Sequence, residues 1–184
     1  RDLKPANIFI TRSGVVKVGD LGGCVMVENL EDPIESEYGS PIFICPEVWQ
    51  SSVCSHKSDV WSLGCVLFEM VSGLPPFWGD TIKDVYKKVI HTQPKFPPMS
   101  ADCQSCIEAL LSRDPSERLG SRENGEDIKS HEFFAGLGWK QLLERQTKPP
   151  FRSKSASQET TDNFHRAFTT QRPIDSLSNP DNFL

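Results

Sequence analysis

Apolar positions along the 184-residue chain fall into a few clear patterns. Ile8-Phe9-Ile10 and Val15-Val16-Lys17-Val18 are short β-branched runs flanking Ser13-Gly14, which predicts a small hairpin. Residues 59–71 are apolar nearly all round, the mark of a helix buried in the middle of a fold. Ile82, Val85, Tyr86 and Val89 share one face of a further helix that Asp80 can cap. Ser100 can cap another, turning Cys103, Ile107, Leu110 and Leu111 inward, and residues 126–145 predict one or two short helices. Residues 23–47 carry no period and contain Pro33, Gly39, Pro41 and Pro46. A loop that long in a compact domain is usually functional. From Lys148 onward the chain is rich in Pro, Ser, Thr and Asn, a tail without a core of its own.

Composition narrows the classes. The length suits one domain with a real core. Formal net charge is −5, without the basic surplus that nucleic-acid binding needs. No apolar run reaches the length of a membrane span. Cys24, Cys45, Cys54, Cys65, Cys103 and Cys106 follow no paired metal spacing, and several stand among apolar residues. A reduced, cytoplasmic protein is the expectation. Cys103-x-x-Cys106 has helical spacing with Cys103 on the core face, which reads as packing rather than redox or metal chemistry. His56, His91, His131 and His165 are scattered and form no ligand cluster.

Two short motifs carry chemistry. Arg1-Asp2-Leu3-Lys4-Pro5-Ala6-Asn7 puts an acid, an amine and an amide into one loop, and Gly19-Asp20-Leu21-Gly22 adds an acid eighteen residues after Asp2. A turn of charged residues before a strand is the plain alternative. The long, constrained pattern, with its partner at that spacing, resembles the catalytic and metal-binding loops of a protein kinase. The resemblance implies that Asp2 orients the attacking hydroxyl and takes its proton, while Lys4 steadies the phosphoryl group. It implies that Asn7 and Asp20 hold Mg²⁺, a hard ion that prefers amide and carboxylate oxygens. ATP is the implied cofactor with Mg²⁺, contacted by Lys4, Asn7 and Asp20. The Asp2-Leu3-Lys4 order is the serine/threonine form of this loop in the family.

Gly39-Ser40-Pro41-Ile42-Phe43-Ile44-Cys45-Pro46-Glu47 resembles the family's substrate-facing segment, with Cys45 where alanine is usual. The resemblance implies that Glu47 pairs with Arg118 in Arg113-Asp114-Pro115-Ser116-Glu117-Arg118. It implies that Asp59 braces the catalytic loop from beneath; a plain N-cap is the competing reading of Asp59. Ser40, Pro41, Ile44 and Glu69 would seat the substrate peptide. Ala6 stands where a second acid is common, so a shallow preference for basic residues before the target is expected. Ser36, four residues before Ser40, is the expected phosphosite, where a phosphate could pair with Arg1. Ser176 is a second candidate.

The C-terminal part narrows the resemblance. His131-Glu132-Phe133-Phe134, Trp139-Lys140-Gln141-Leu142 and Pro149-Pro150-Phe151-Arg152 look like the end of an AGC-type kinase lobe. Asn163-Phe164, Phe168-Thr169 and Pro173-Ile174-Asp175-Ser176 follow in the order of the AGC tail, which implies a nucleotide contact for Phe164. The likeness is to kinases of the protein kinase C, protein kinase N and ribosomal S6 kinase kind. Departures are Leu21 for the usual phenylalanine, glycines at 19 and 23, and His165 for an acid. Phe183 stands too near Ser176 to take a docking role.

The expected fold is therefore mainly α: the C-terminal lobe of a protein-kinase-like fold, with a small β-hairpin at the catalytic loop and an extended C-terminal tail. Residues 1–147 would be the lobe and 148–184 an incomplete tail. The expected function is transfer of the ATP γ-phosphoryl group to serine or threonine of protein substrates, with an upstream activating kinase as a further partner. The phosphate loop of an upper lobe is not among these residues, so they are expected to be inactive alone. A pseudokinase or kinase-derived scaffold is the alternative; its mark would be loss of Asp2, Lys4, Asn7 or Asp20, and all four are present.

Overall fold

A computed structural model describes residues 1–30, 32–35, 38–122, 125–151, 164 and 166–170. The chain opens with a single 3-10 turn, Pro5–Asn7, and the hairpin of β1 (Ile8–Ile10) and β2 (Val16–Val18). Their antiparallel register pairs Ile8 with Val18 and Ile10 with Val16. Gly14 turns the hairpin at φ 85°, a conformation that favours glycine. Val15 stays outside β2, its carbonyl accepting from Thr11 N at 2.8 Å.

The stretch 23–47 is not uniform loop. It contains β3 (Ile34–Glu35), the 3-10 turn Pro41–Phe43, and the start of α1 (Pro46–Ser51). Pro46 occupies the first helical turn, where its missing N–H costs nothing. β3 pairs antiparallel with β4 (Val53–Cys54).

The predicted buried helix is α2, His56–Ser72, which starts earlier than its apolar run because Ser55 and Ser58 form a reciprocal cap. Gly73 ends it at φ 78°. Trp61, Cys65, Val66 and Phe68 are buried, whereas Leu63, Met70 and Val71 are exposed, so α2 is not enclosed on every side. In α3 (Ile82–His91) the cap is Thr81 rather than Asp80: Thr81 Oγ1 accepts from Asp84 N at 3.1 Å. The cap sits one residue later than expected, and Ile82 then points outward at 62% exposure while Val85 and Val89 are buried.

Ser100 does cap α4 (Ala101–Leu110), and Cys103, Ile107, Leu110 and Leu111 are all buried. α5 (Glu126–Ser130), the 3-10 turn Glu132–Phe134 and α6 (Trp139–Leu143) follow. In the tail, α7 (Arg166–Thr169) is the one helix among the described residues. The core gathers Trp61, Cys65, Phe68, Phe77, Val85, Val89 and Ile107, with Trp61 stacked on Phe77 at 5.5 Å and 9°. α2 and α4 approach closely at Gly64, where a Cβ would come within 2.9 Å of Leu110 and Leu111 side-chain atoms. No helix among the described residues is long and apolar enough to cross a membrane.

Candidate functional site

The loop before the hairpin folds on its own polar groups. Lys4 carries no side-chain cap, but Pro5 starts the turn and Asn7 N donates to Lys4 O at 3.0 Å. That turn buries Asn7, whose Nδ2 donates to Asp2 O at 2.8 Å and to Asp2 Oδ2 at 3.3 Å. Lys4 Nζ donates to Asp2 Oδ2 at 2.7 Å and to Ser40 Oγ at 2.8 Å. Ser40 N closes the cluster on Asp2 Oδ1 at 2.9 Å, across 38 positions of sequence. Burial pushes the Asp2 carboxyl up, but hydrogen bonds from Lys4 and Ser40, with the Lys4 charge, outweigh it and hold the acid below its ordinary value. Asp2 is thus a charged acceptor at neutral pH.

Asp20 reaches the same place through the hairpin. Gly19 N donates to Asn7 O at 2.9 Å, extending the ladder by one residue and bringing Asp20 next to Asn7. Asp20 is left-handed at φ 55°, a strained conformation of the kind that clusters at functional sites. Its carboxylate has no hydrogen-bond or ion-pair partner among the described residues. Asn7 spends its amide N–H on Asp2, which leaves its amide oxygen available. A carboxylate and an amide oxygen, carried on backbones that the Gly19–Asn7 bond ties together, are the oxygen types that a hard cation takes. No group of three or more His, Cys, Asp or Glu could hold a metal among the described residues, so phosphate oxygens and water would have to complete the shell.

A second polar feature is an ion pair between α1 and the segment after α4, with Arg118 buried. Arg118 Nη1 and Nη2 reach Glu47 Oε1 and Oε2 at 2.8 and 2.9 Å, a two-pronged contact. Arg118 also donates to Ser112 O at 2.9 Å and Lys57 O at 2.6 Å, and lies 5.3 Å from the Trp61 ring. Asp59 Oδ1 is 3.1 Å from the backbone nitrogen of Arg1. Ser55, not Asp59, caps α2.

The expected peptide-seating residues divide. Ser40 joins the Asp2 cluster, Pro41 starts the next turn, and Ile44 lines a narrow apolar recess with Phe43 and Val48 beside Asp2. The Glu69 side chain, in the last turn of α2, has no hydrogen-bond or ion-pair partner among the described residues. Phe164 is 59% exposed and joins no ring pair among them. Ser36 and Ser176 lie outside the described residues. Sequence reasoning missed the contacts of Tyr38 with Arg1 and Gly23. Their one visible sign was the glycine after Asp20-Leu21-Gly22.

Residues 1–134 match the family model described as "Protein kinase domain". The chain is similar to "Serine/threonine protein kinase ypkA" of Aspergillus fumigatus, at 37% identity over 181 residues, 96% of this chain and 28% of that protein. It is 35% identical over 176 residues to "Serine/threonine-protein kinase N2" of Danio rerio, covering 95% of this chain and 18% of that protein. It is 36% identical over 182 residues to "Ribosomal protein S6 kinase alpha-1" of Homo sapiens, covering 98% of this chain and 25% of that protein. The chain thus spans between about a fifth and just over a quarter of the length of these curated relatives.

Proposed function

The chain belongs to the protein kinase family, with serine/threonine kinases of the AGC type as its relatives, and we propose that its whole protein transfers the γ-phosphoryl group of ATP to serine or threonine of protein substrates. Residues 1–147 would supply the C-terminal lobe and residues 148–184 the AGC tail. The observation that carries the reading is the Asp2 cluster: a carboxylate kept charged by Lys4 and Ser40, bonded by the Asn7 amide, with Asp20 following the backbone bond from Gly19 to Asn7.

Phosphoryl transfer asks the protein mainly for positioning and charge compensation. Asp2 would hold the acceptor hydroxyl and take its proton on a carboxylate oxygen. Lys4 Nζ, already bridging Asp2 and Ser40, is set to steady negative charge at the same spot. Mg–ATP, when bound, supplies the phosphoryl group and neutralises its charge. Asn7 and Asp20 would hold the ion through their free oxygens. Ser40, Pro41 and Ile44 would seat the peptide, and Glu69 would meet a basic residue upstream of the target through a charge-assisted pair.

Asp2→Asn and Asp20→Asn in the whole protein test this. Loss of the proton acceptor alone should lower the rate about 10²–10⁴-fold, and loss of the metal ligand comparably. Steady-state peptide phosphorylation by both variants within about threefold of wild type would mean that the site is misplaced.

A further inference from the structure

Asp20 is tethered on one side only. Gly19 fixes the approach to it through Asn7 O, and beyond it the 3-10 turn Leu21–Gly23 must be fixed by something else. The contact is at Gly23, which is buried and carries no side chain. A Cβ there would stand 2.3 Å from Tyr38 Cε1 and 2.7 Å from Cδ1. The Tyr38 ring therefore lies against the Gly23 backbone. The Arg1 guanidinium carbon is 5.6 Å from the centre of the same ring, and Arg1 Nε donates to Gly23 O. A guanidinium over an aromatic face is attracted by the ring quadrupole. The chain then continues along the catalytic loop: Gly39, at φ 133°, passes close to Arg1 O, and Ser40 N lands on Asp2 Oδ1.

We infer that Tyr38 is a positioning residue, whose ring clamps the Gly23 backbone and the Arg1 guanidinium and so fixes the loop bearing Asp20 against the loop bearing Asp2. The ring face makes both contacts. The catalytic consequence rests on the phosphoryl-transfer reading; the geometry does not.

The test uses the whole protein with four variants: Tyr38→Phe, Tyr38→Ala, Gly23→Ala and the double Gly23→Ala/Tyr38→Ala. Amide hydrogen exchange over residues 20–24 and 38–44 reads the clamp directly. Tyr38→Ala is expected to speed exchange in both segments about tenfold and to lower kcat about 10–100-fold, as a small misplacement of reacting groups does. Tyr38→Phe keeps the ring and should be clearly less impaired than Tyr38→Ala in both readouts. Gly23→Ala displaces the ring and should reproduce Tyr38→Ala. The double variant removes the clash along with the ring, so it should be no worse than Tyr38→Ala. Unchanged exchange at residues 20–24 in Tyr38→Ala would overturn the inference. So would a double variant whose losses multiply, or a Tyr38→Phe as impaired as Tyr38→Ala. If the exchange pattern holds but wild type phosphorylates no protein or peptide, the clamp stands and the kinase reading fails.

Discussion

Splitting the Glu47–Arg118 pair should destabilise the domain unequally according to which partner is removed. The Arg118 side chain is wholly inaccessible, whereas 21% of the Glu47 side chain still meets solvent. Glu47→Leu strands a guanidinium that cannot lose its proton and cannot reach water, leaving it two backbone carbonyls, Ser112 O and Lys57 O. Breaking a buried pair in this way costs about 3–5 kcal/mol, and this variant should lie at the upper end. Arg118→Met leaves a carboxylate that can take up water or a proton, so about 3 kcal/mol is expected, with the two orphaned carbonyls included. Glu47→Leu with Arg118→Met replaces the charges by apolar groups of similar volume and should cost less than either single change. At about 2–4 °C per kcal/mol for a domain of this size, Glu47→Leu lowers the midpoint by roughly 6–20 °C. Thermal and urea unfolding followed by far-UV circular dichroism measure this. A double variant as unstable as the sum of the singles, or Arg118→Met worse than Glu47→Leu, would refute the reasoning.

The pH dependence of the same pair has a definite sign. Burial pushes the Glu47 carboxyl up, but the hydrogen bonds and charge of Arg118 prevail and hold it below its ordinary 4.5. A depressed acid contributes stability that is complete above its unfolded value and is lost as pH falls through its folded value. The gap in urea midpoint between wild type and Glu47→Leu should therefore be full at neutral pH and close in acid. Gly64→Ala would push a methyl group into Leu110 and Leu111 and should cost about 1–3 kcal/mol in urea unfolding, with little change in KM for ATP. Burial raises the thiols of Cys45 to about 12 and Cys106 to about 11, and raises Cys65 as well, so peptide mapping after brief alkylation at pH 8 should find Cys24, the exposed cysteine, modified first.

What could be read from sequence was what lies close in sequence. Asp2, Lys4 and Asn7 sit within one six-residue loop, so their spacing alone announces a cluster. The hairpin and α4 followed from period and turn chemistry. The α3 cap was misjudged because Asp80 and Thr81 are both good capping residues one position apart. Only the direction of Asp84 N decides between them. The Tyr38 contact joins residues 1, 23 and 38 through a glycine, and a residue with no side chain leaves no mark on a hydrophobic pattern. Arg118 was reachable only by family resemblance. Taken alone, its charge predicts an exposed residue, and it is buried because four acceptor contacts, two from Glu47 and two from backbone carbonyls, surround it.

The polar residues of α2 explain how distant segments become one site. Ser55, Ser58, Asp59 and Ser62 recur at spacings of three and four, which places them on one face of an otherwise apolar helix. Each fastens a different part of the chain. Ser55 caps the helix, and Ser58 Oγ donates to Glu47 Oε1 at 3.4 Å, a long bond to the acid that holds Arg118. Asp59 meets the backbone nitrogen of Arg1. Ser62 Oγ donates to Phe43 O at 2.9 Å, just after Ser40 and Pro41. Buried serines in an apolar helix cost stability unless satisfied, and here Ser58 is satisfied by Glu47 of the Glu47–Arg118 pair and Ser62 by the segment after Ser40. One helix face thus sets Asp2 and Ser40 in register with each other, though 38 positions separate them. A helix needing only burial would have had alanine or valine at 58 and 62, the two buried positions of that face. Ser58, Asp59 and Ser62 on that face are the sequence's record that α2 is a mounting for the site as well as the centre of the core.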